Sequence, residues 1–536
     1  MKKTLILGGG FGGIFCARRL EKINKKFFDV ELISNNNYFI FQPLLPEVAS
    51  GTISAADAVT PIRQMLPNIK FRKAEIIDIN FKKKNVVLAQ GFRKRLHNID
   101  YDHLVIALGQ ESNQSIIPGL EHHSFTMRTL EDAYNVRNHL IGCFELADVT
   151  LDKKLKKRLL NIVVVGGGFS GVETVGELKE MSDRLLPYYK NISENELKFH
   201  IVEFSDKLLP ELSDEISEYT LSVFKKRKIN IHLKTALKQA SIYKVFLSNG
   251  RYIETNTIIS TIGSTVSKII KQSGLPLKNG KIITNEFLQV PHLENVWAIG
   301  DSALIPNKLD INDYPYSPPT AQFAVRQAKL LAKNIILKNM KKNLREFKYK
   351  SKGSLASLGS KKGVGKIYFF NVKGLLAWII WRVFYLSFLP SFPTKIRVLL
   401  SWILEFFIPR NAVLTHNFQS SPVSYKMFKK GDVVFEEGMV ADGFYIVKKG
   451  EFENIYKKTK TRKAFKKIYK KGSHFGSRVI LEGGRRTGTI TAKKDSLVLK
   501  IQARSFKLLT ENFPILEKYF SDYLPKTFKK LNLNED

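Results

Sequence analysis

Short apolar runs that end in glycine set the rhythm of the chain. Thr4 to Leu7 and Ile162 to Val165 are strand-like runs. The first empties into Gly8-Gly9-Gly10-Phe11-Gly12-Gly13, the second into Gly166-Gly167-Gly168-Phe169-Ser170-Gly171, and each cluster opens a helix-like stretch. Val30 to Ile33 adds a second strand to the first unit, and Tyr101 to Gly109 is a buried strand closed by a glycine turn. Pro118-Gly119 punctuates a crossover, and a helix-like stretch from Leu130 to Ala147 precedes the second glycine cluster. The pattern later returns to the first unit. Asn295 to Asp301 is a strand with an acid just past its end, and the proline-rich loop Tyr314 to Pro319 leads into a helix from Thr320 to about Leu337. The expected class is α/β, with two Rossmann-type dinucleotide-binding domains, one inserted in the other. Residues 1–115 and 285–345 form the outer domain and residues 116–284 the inserted one.

Residues 374–410 are the most apolar part of the sequence. Gly374 to Leu389, broken by Arg382 and stopped by Pro390, falls short of the ~20 uninterrupted apolar residues of a spanning helix. Lys395 to Ile408 sets Arg397, Ser401 and Glu405 four apart on one helical face, while Val398, Leu399, Trp402, Ile403, Phe406 and Phe407 cover the rest. A narrow polar stripe beside Trp and Phe, with flanking Lys and Arg, predicts an amphipathic helix lying in the membrane interface. Residues 346–412 are therefore expected to be a membrane-anchoring region. From about Ser420 the pattern changes to short strands with glycine turns, as in Phe428 to Asp432, Gly443 to Gly450 and Gly472 to Gly476. That predicts a β-barrel or jelly roll over 420–536, with a helical end from Arg504 to Leu531. The acid-free stretch Lys457 to Lys471 reads as a solvated hairpin.

Charge sharpens this picture. The 536 residues hold 86 Lys+Arg against 49 Asp+Glu, a net +37, which favours an anionic partner; beside the apolar helices that partner is the bilayer surface, not nucleic acid. Cys16 and Cys143 are the two cysteines, too few for a disulfide-stapled exported protein. No C-x-x-C occurs, which sets aside flavoproteins that reduce disulfides or oxidise sulfide through a cysteine pair. The N-terminus runs into the first strand without a cleavage site, so no export signal is expected. The histidines show no ligand-like spacing, and no metal site is expected.

A single G-x-G-x-x-G carries little weight, but two in strand–turn–helix context imply two nucleotides on one protein. Glycine is required there for the tight turn, for the approach of backbone to pyrophosphate and for helix–strand packing. The phosphates then meet unpaired N–H groups at a helix N-terminus. One dinucleotide would be a flavin and the other a nicotinamide.

Residues 1 to about 412 resemble the type II NADH:quinone oxidoreductases, single-subunit, non-pumping respiratory dehydrogenases. The blocks that carry the resemblance are the two glycine clusters, Phe41-Gln42-Pro43-Leu44-Leu45 with Val48-Ala49-Ser50-Gly51, and Ala298-Ile299-Gly300-Asp301. Further blocks are Pro318-Pro319-Thr320-Ala321-Gln322, Lys352-Gly353-Ser354-Leu355-Ala356 and Gly374-Leu375-Leu376-Ala377-Trp378. The resemblance implies FAD on the first cluster, with Gly8, Gly10, Gly12 and Gly13 at its pyrophosphate, Asp301 near the ribityl chain, and Gly109 and Ala321 close by. The acid expected on the adenosine ribose is replaced by Ser34. NADH is implied on the second cluster, at Gly166, Gly168 and Gly171, with Glu203 accepting the ribose hydroxyls and Glu173 on the nicotinamide side of the flavin. A carboxylate at Glu203 repels a 2′-phosphate and so favours NADH over NADPH. The quinone is expected on the helix beginning Ala321-Gln322-Phe323-Ala324-Val325-Arg326, where Gln322 and Arg326 would meet its carbonyls.

Residues 420–536 resemble cyclic-nucleotide-binding domains of the catabolite-activator type. Phe475-Gly476 to Arg486-Thr487 aligns with the phosphate-binding cassette, which implies Gly476, Arg486 and Thr487 at a cyclic phosphate, while Ser477 stands where a glutamate grips the ribose. The expectation is an FAD-dependent NADH:quinone oxidoreductase, a homodimer held peripherally on the cytoplasmic face of the inner (plasma) membrane, with a nucleotide-sensing C-terminal domain. Two alternatives stay open: a soluble NADH diaphorase or ferredoxin-reductase-like flavoprotein, which would lack the 374–410 region, and a sensor with vestigial redox activity.

Overall fold

The computed structural model describes residues 2–23, 28–309, 315–408, 410, 413–414, 422–456, 464–513, 515–516 and 518–520. Its first sheet is five-stranded, in the order Val296–Ala298, His103–Ile106, Lys2–Leu7, Phe28–Ser34 and Lys70–Lys73. Every neighbouring pair in it is parallel. Strands covered on both faces read as unbroken apolar runs, and Leu5, Ile6 and Leu7 are fully buried. The edge strand Val296–Ala298 comes from far along the chain. It closes the first unit around everything between residues 107 and 295.

The inserted unit repeats the design. Its parallel sheet runs Ile229–His232, Lys198–Val202, Asn161–Val165, Thr257–Ser260. Two crossover segments tie the units together where Glu111–Ser112 pairs antiparallel with Ser264–Thr265. The α/β class with two Rossmann units, one inside the other, is what the sequence predicts. The expected helices also form, as Leu130–Val149 and Ala321–Asn339.

A three-stranded antiparallel sheet, Gly353–Gly359, Lys362–Ile367 and Phe370–Lys373, then packs on the inserted unit and leads into helices Gly374–Phe388 and Phe392–Leu404. Among the described residues no helix is long and apolar enough to cross a membrane. Beyond them two four-stranded sheets face each other around Phe428, Phe452, Phe475 and Val498, the jelly roll expected of this region. A helix Ala503–Asn512 follows. Tyr314 of the expected loop, residues 457–463 of the lysine-rich stretch and residues 521–531 of the terminal helix lie outside the described residues.

Candidate active site

Both glycine turns are built the same way. Gly8 (φ 113°) donates its N–H to the Ile33 carbonyl at 2.8 Å, and Gly166 (φ 107°) donates to Val202 at 2.8 Å. Left-handed backbone of this kind is the reason for glycine at these two positions. A Cβ on Gly13 would overlap the Gly8 carbonyl, and one on Gly171 would overlap that of Gly166. A Cβ on Gly12 would press on Ile299 at 3.3 Å. Gly10 is different: a Cβ there would meet nothing within 4 Å, and on Gly168 only Glu211 Oε1 at 4.0 Å. The turns are sealed underneath and bare on top, over the first N–H groups of the helices Phe11–Ile23 and Phe169–Leu185. That bare surface fits a pyrophosphate.

The ribose side shows the same correspondence. A Cβ on Gly9 would lie 2.6 Å from Ser34 Oγ, and one on Gly167 would lie 2.9 Å from the Cβ of Glu203, so Ser34 and Glu203 occupy equivalent places. Glu203 Oε2 accepts the Gly167 N–H at 2.5 Å and Oε1 accepts that of Ser205 at 2.7 Å, which aims the carboxylate along the turn. Ser34 Oγ accepts the Asn36 N–H at 3.3 Å. A neutral hydroxyl is the weaker acceptor of the two.

Asp301 sits in the turn Gly300–Ser302, where burial raises its carboxyl above the ordinary range against the pull of Lys281 and Arg128. Gly109 (φ 65°) lies just beyond the neighbouring strand His103–Ile106, and a Cβ on it would meet open space. Ala321 opens the helix Ala321–Asn339 beside this turn, and the buried Gln327 of that helix accepts the Gly300 N–H at 2.9 Å. Gln322 does not present a free amide. Its Nε2 donates to Ser351 Oγ (3.2 Å) and to the Gly353 carbonyl (3.0 Å), while its Oε1 accepts from Tyr349 OH (2.9 Å). Arg326 donates to the Gln322 carbonyl at 3.3 Å and lays its guanidinium over the Tyr349 ring at 4.7 Å. The two residues expected at the quinone thus brace Tyr349 and the turn after it.

Glu173 is 6% exposed and ties the three-stranded sheet and the helix Gly374–Phe388 to the second fingerprint helix. Its Oε1 accepts the Ser357 N–H (3.2 Å) and the Trp381 Nε1–H (2.9 Å). Around it lies a cluster that motif reading did not find. Glu47 accepts Trp402 Nε1–H at 2.9 Å, Glu177 accepts from Ser50 at 3.2 Å, and Glu405 pairs with Arg382 (2.9 Å) and Arg410 (2.6 Å). Two buried guanidiniums face four carboxyls here, with the partly exposed Arg184 also 3.5 Å from Glu405, so the carboxyls outnumber the cations around them and full ionisation is opposed. Burial pushes Glu47 and Glu173 each up to about 8, and raises Glu177 as well. Burial acts on Glu405 in the same direction, but Arg410 and Arg382 overcome it and hold that carboxyl below the ordinary range. The sequence signal was there: an acid at Glu47 and an arginine at Arg382, each inside an apolar run, both of which need partners when buried.

The polar stripe of the second apolar helix turns towards the protein, although the Arg397 side chain stays half exposed. Arg397 Nε donates to Asp57 Oδ1 at 3.0 Å, Ser401 Oγ donates to Asp57 Oδ2 at 3.4 Å, and Glu405 joins the cluster. Leu399, Leu400, Ile403, Leu404, Phe406 and Phe407 are exposed, Phe407 at 80%. Val398 (0% exposed) and Trp402 (4%) are core residues, contrary to the sequence expectation that Trp402 faces the bilayer. The indole is held inside because Glu47 gives its N–H a buried partner.

The barrel gathers the expected cassette residues at one end. Gly476 (φ 88°) and the buried Ser477 start a short turn of helix, and Arg486, 2% exposed, donates to the carbonyls of Gly476 (2.8 Å) and Gly443 (2.7 Å). Its guanidinium also donates to Asp442 Oδ1 at 3.1 Å and covers the Phe435 ring at 4.0 Å. Asp442 accepts from Tyr445 OH (2.8 Å) and Lys500 (2.5 Å) as well. Thr487 follows in sequence.

Comparison with known proteins agrees with this geometry. Residues 2–328 match the pyridine nucleotide-disulphide oxidoreductase family, residues 351–411 the NDH2 C-terminal domain, and residues 425–513 the cyclic nucleotide-binding domain. A probable NADH dehydrogenase of Dictyostelium discoideum is 31% identical over 412 residues, 75% of this chain and 89% of that protein. The type II NADH:quinone oxidoreductase of Staphylococcus saprophyticus is 30% identical, covering 70% of this chain and 91% of its own. The solved structure of NDH2 from Plasmodium falciparum in complex with NADH shares the fold, with a TM-score of 0.72 at 24% identity, over 77% of this chain and 99% of that one. This chain belongs to the pyridine nucleotide-disulphide oxidoreductase family and, within it, to the type II NADH:quinone oxidoreductases, FAD-dependent NADH dehydrogenases that do not pump protons.

Proposed function

We propose that the chain lies on an anionic membrane surface, on the cytoplasmic face of the inner (plasma) membrane, and passes reducing equivalents from NADH to a membrane quinone. When bound, FAD supplies the redox chemistry, taking a hydride from the nicotinamide and giving electrons to the quinone. Gly8, Gly10, Gly12, Gly13, Ser34, Gly109, Asp301 and Ala321 would hold it. Gly166, Gly168, Gly171 and Glu203 would hold NADH, the carboxylate selecting it over NADPH. The protein's own task would be to orient the two cofactors relative to one another and exclude water. Glu173, protonated by its burial, keeps a neutral group against the three-stranded sheet and Trp381.

The observation that carries the membrane reading is the inverted helix Phe392–Leu404, whose Arg397 and Ser401 bond Asp57 and whose capping Glu405 pairs with Arg382 and Arg410, while its apolar face looks outward. A water-facing helix would be turned the other way. Arg326 supports a quinone close to Tyr349, since a cation there favours the developing anion. Two buried thiols, Cys16 and Cys143, and the charge of +37 support a reducing, lipid-facing location. A cyclic nucleotide is the ligand proposed for Gly476, Ser477, Arg486 and Thr487, and a homodimer the assembly, to be read by light scattering in detergent.

The test is flotation with vesicles of anionic lipid, followed by NADH oxidation with a quinone and with a water-soluble acceptor. The yellow protein should float and use both. Protein that stays in the supernatant with full activity toward both acceptors would favour the soluble diaphorase.

A further inference from the structure

We infer that the C-terminal barrel bears on the NADH half of the reaction and not on the quinone half, an inference that rests on the assignment of NADH to the second fingerprint. Chain order puts the barrel directly after the apolar helices, yet its first strand, Val423–Phe428, is seated on the inserted nucleotide unit. Met427 anchors it there. Its N–H donates to His123 Nε2 (3.0 Å), its carbonyl accepts from the Ile242 N–H (3.2 Å), and its sulfur accepts from Gln239 Nε2 (3.1 Å). Around it Tyr425 lies 5.2 Å from His122, Lys429 covers Phe246 at 4.9 Å, and Lys244 reaches Asp432 at 3.8 Å. Ile242 and Tyr243 pack against the barrel's own core. Tyr243 meets Phe428 at 6.4 Å on one side and the Arg158 guanidinium at 4.4 Å on the other, so one ring belongs to both bodies.

This seat is joined to both ends of the site. From the barrel cassette, Arg486 lies on Phe435, and the rings of Phe435, Phe475, Phe452 and Phe428 follow at 6.0, 5.4 and 5.9 Å up to Tyr243. On the enzyme side the barrel grips the crossover that starts at the flavin-side Gly109. Within it Pro118 accepts the Ala240 N–H (2.9 Å), and the Asn113 N–H donates to Gly263 (3.0 Å). Gly263 continues from Thr261 and Ile262, which seal the second glycine turn: a Cβ on Gly166 would meet them at 2.5 and 2.8 Å. Close-packed elements of this kind pass on a displacement instead of absorbing it. An occupant of the cassette that prefers one seating of the barrel therefore shifts the affinity for NADH, and NADH shifts the affinity for the occupant by the same factor.

Full-length protein on vesicles of phosphatidylglycerol and phosphatidylcholine tests this, with NADH and ubiquinone-1 varied in turn for Tyr243→Ala, His123→Ala and Tyr243→Phe. The KM for NADH should change by about fivefold in the two alanine variants, with the KM for quinone held within about twofold. Tyr243→Phe, which keeps the shared ring, should restore the wild-type values. An unchanged KM for NADH in both alanine variants overturns the inference. So does a shift confined to the quinone. Glu203→Gln in the same assay guards the underlying assignment: if it leaves the KM for NADH unmoved, the nucleotide is misplaced and the inference falls with it.

Discussion

Replacing Glu47 by glutamine removes a titration while keeping a hydrogen-bond acceptor for Trp402. The carboxyl is 2% exposed, accepts the indole N–H at 2.9 Å and lies 3.8 Å from the Arg382 guanidinium. Burial raises its pKa to about 8, with Arg382 opposing and Glu177 adding to the rise. In the unfolded chain a glutamate titrates near about 4.3. Between these values the folded protein keeps a proton that the unfolded chain has lost. Stability is therefore highest below the unfolded pKa, falls as pH rises towards 8, and levels off beyond. At about 1.4 kcal/mol per pH unit, the loss by pH 8 is about 5 kcal/mol. Glutamine has the shape of the neutral acid at every pH. Glu47→Gln should thus melt with wild type near pH 4.5 and several degrees above it at pH 8, in calorimetric scans across that range. A gap between the two melting temperatures that stays flat with pH would refute the argument. A variant less stable than wild type at pH 8 would show instead that Glu47 is ionised and paired with Arg382.

Trp402→Ala should lower stability by about 3–5 kcal/mol, seen as a fall in melting temperature, because it empties a core position and strands Glu47. Phe407→Ser should leave the melting temperature unchanged and weaken vesicle binding roughly tenfold in a sedimentation titration, because the aromatic ring supplies about 1.5 kcal/mol by burying itself among the lipids. Arg410→Met takes a cation from between Glu405 and Glu177 and should destabilise the fold by about 3–5 kcal/mol in denaturant melts, with a steeper decline at high pH than wild type shows. Arg486→Ala should abolish the heat of cyclic AMP binding in calorimetry. Heat that survives in the variant would take Arg486 out of the cassette.

The glycine turns were legible in the sequence because their chemistry is local. Positive φ at Gly8 and Gly166 and the close packing of Gly13 and Gly171 arise within a few residues of each motif, and the apolar runs before them can only be buried strands. The position of Glu203 beside the second turn was legible for the same reason, just past the end of a strand whose neighbour is set by the fold. The helix around Trp402 shows where this stops. Its periodicity separates a polar from an apolar face, but it does not say which face meets the protein. That was decided by Asp57 and Glu47, drawn from a distant part of the chain. The protonation of Glu47 and Glu173 likewise has no sequence signature, because a pKa is set by what surrounds a group in space. The seat of the barrel is the last case. Sequence order placed it beside the apolar helices, whereas the apolar side chains of Ile242 and Tyr243 and the polar groups around Met427 placed it on the inserted unit. A chain fixes which elements follow one another. Which of them touch is settled by the burial of surfaces that only the folded molecule brings together.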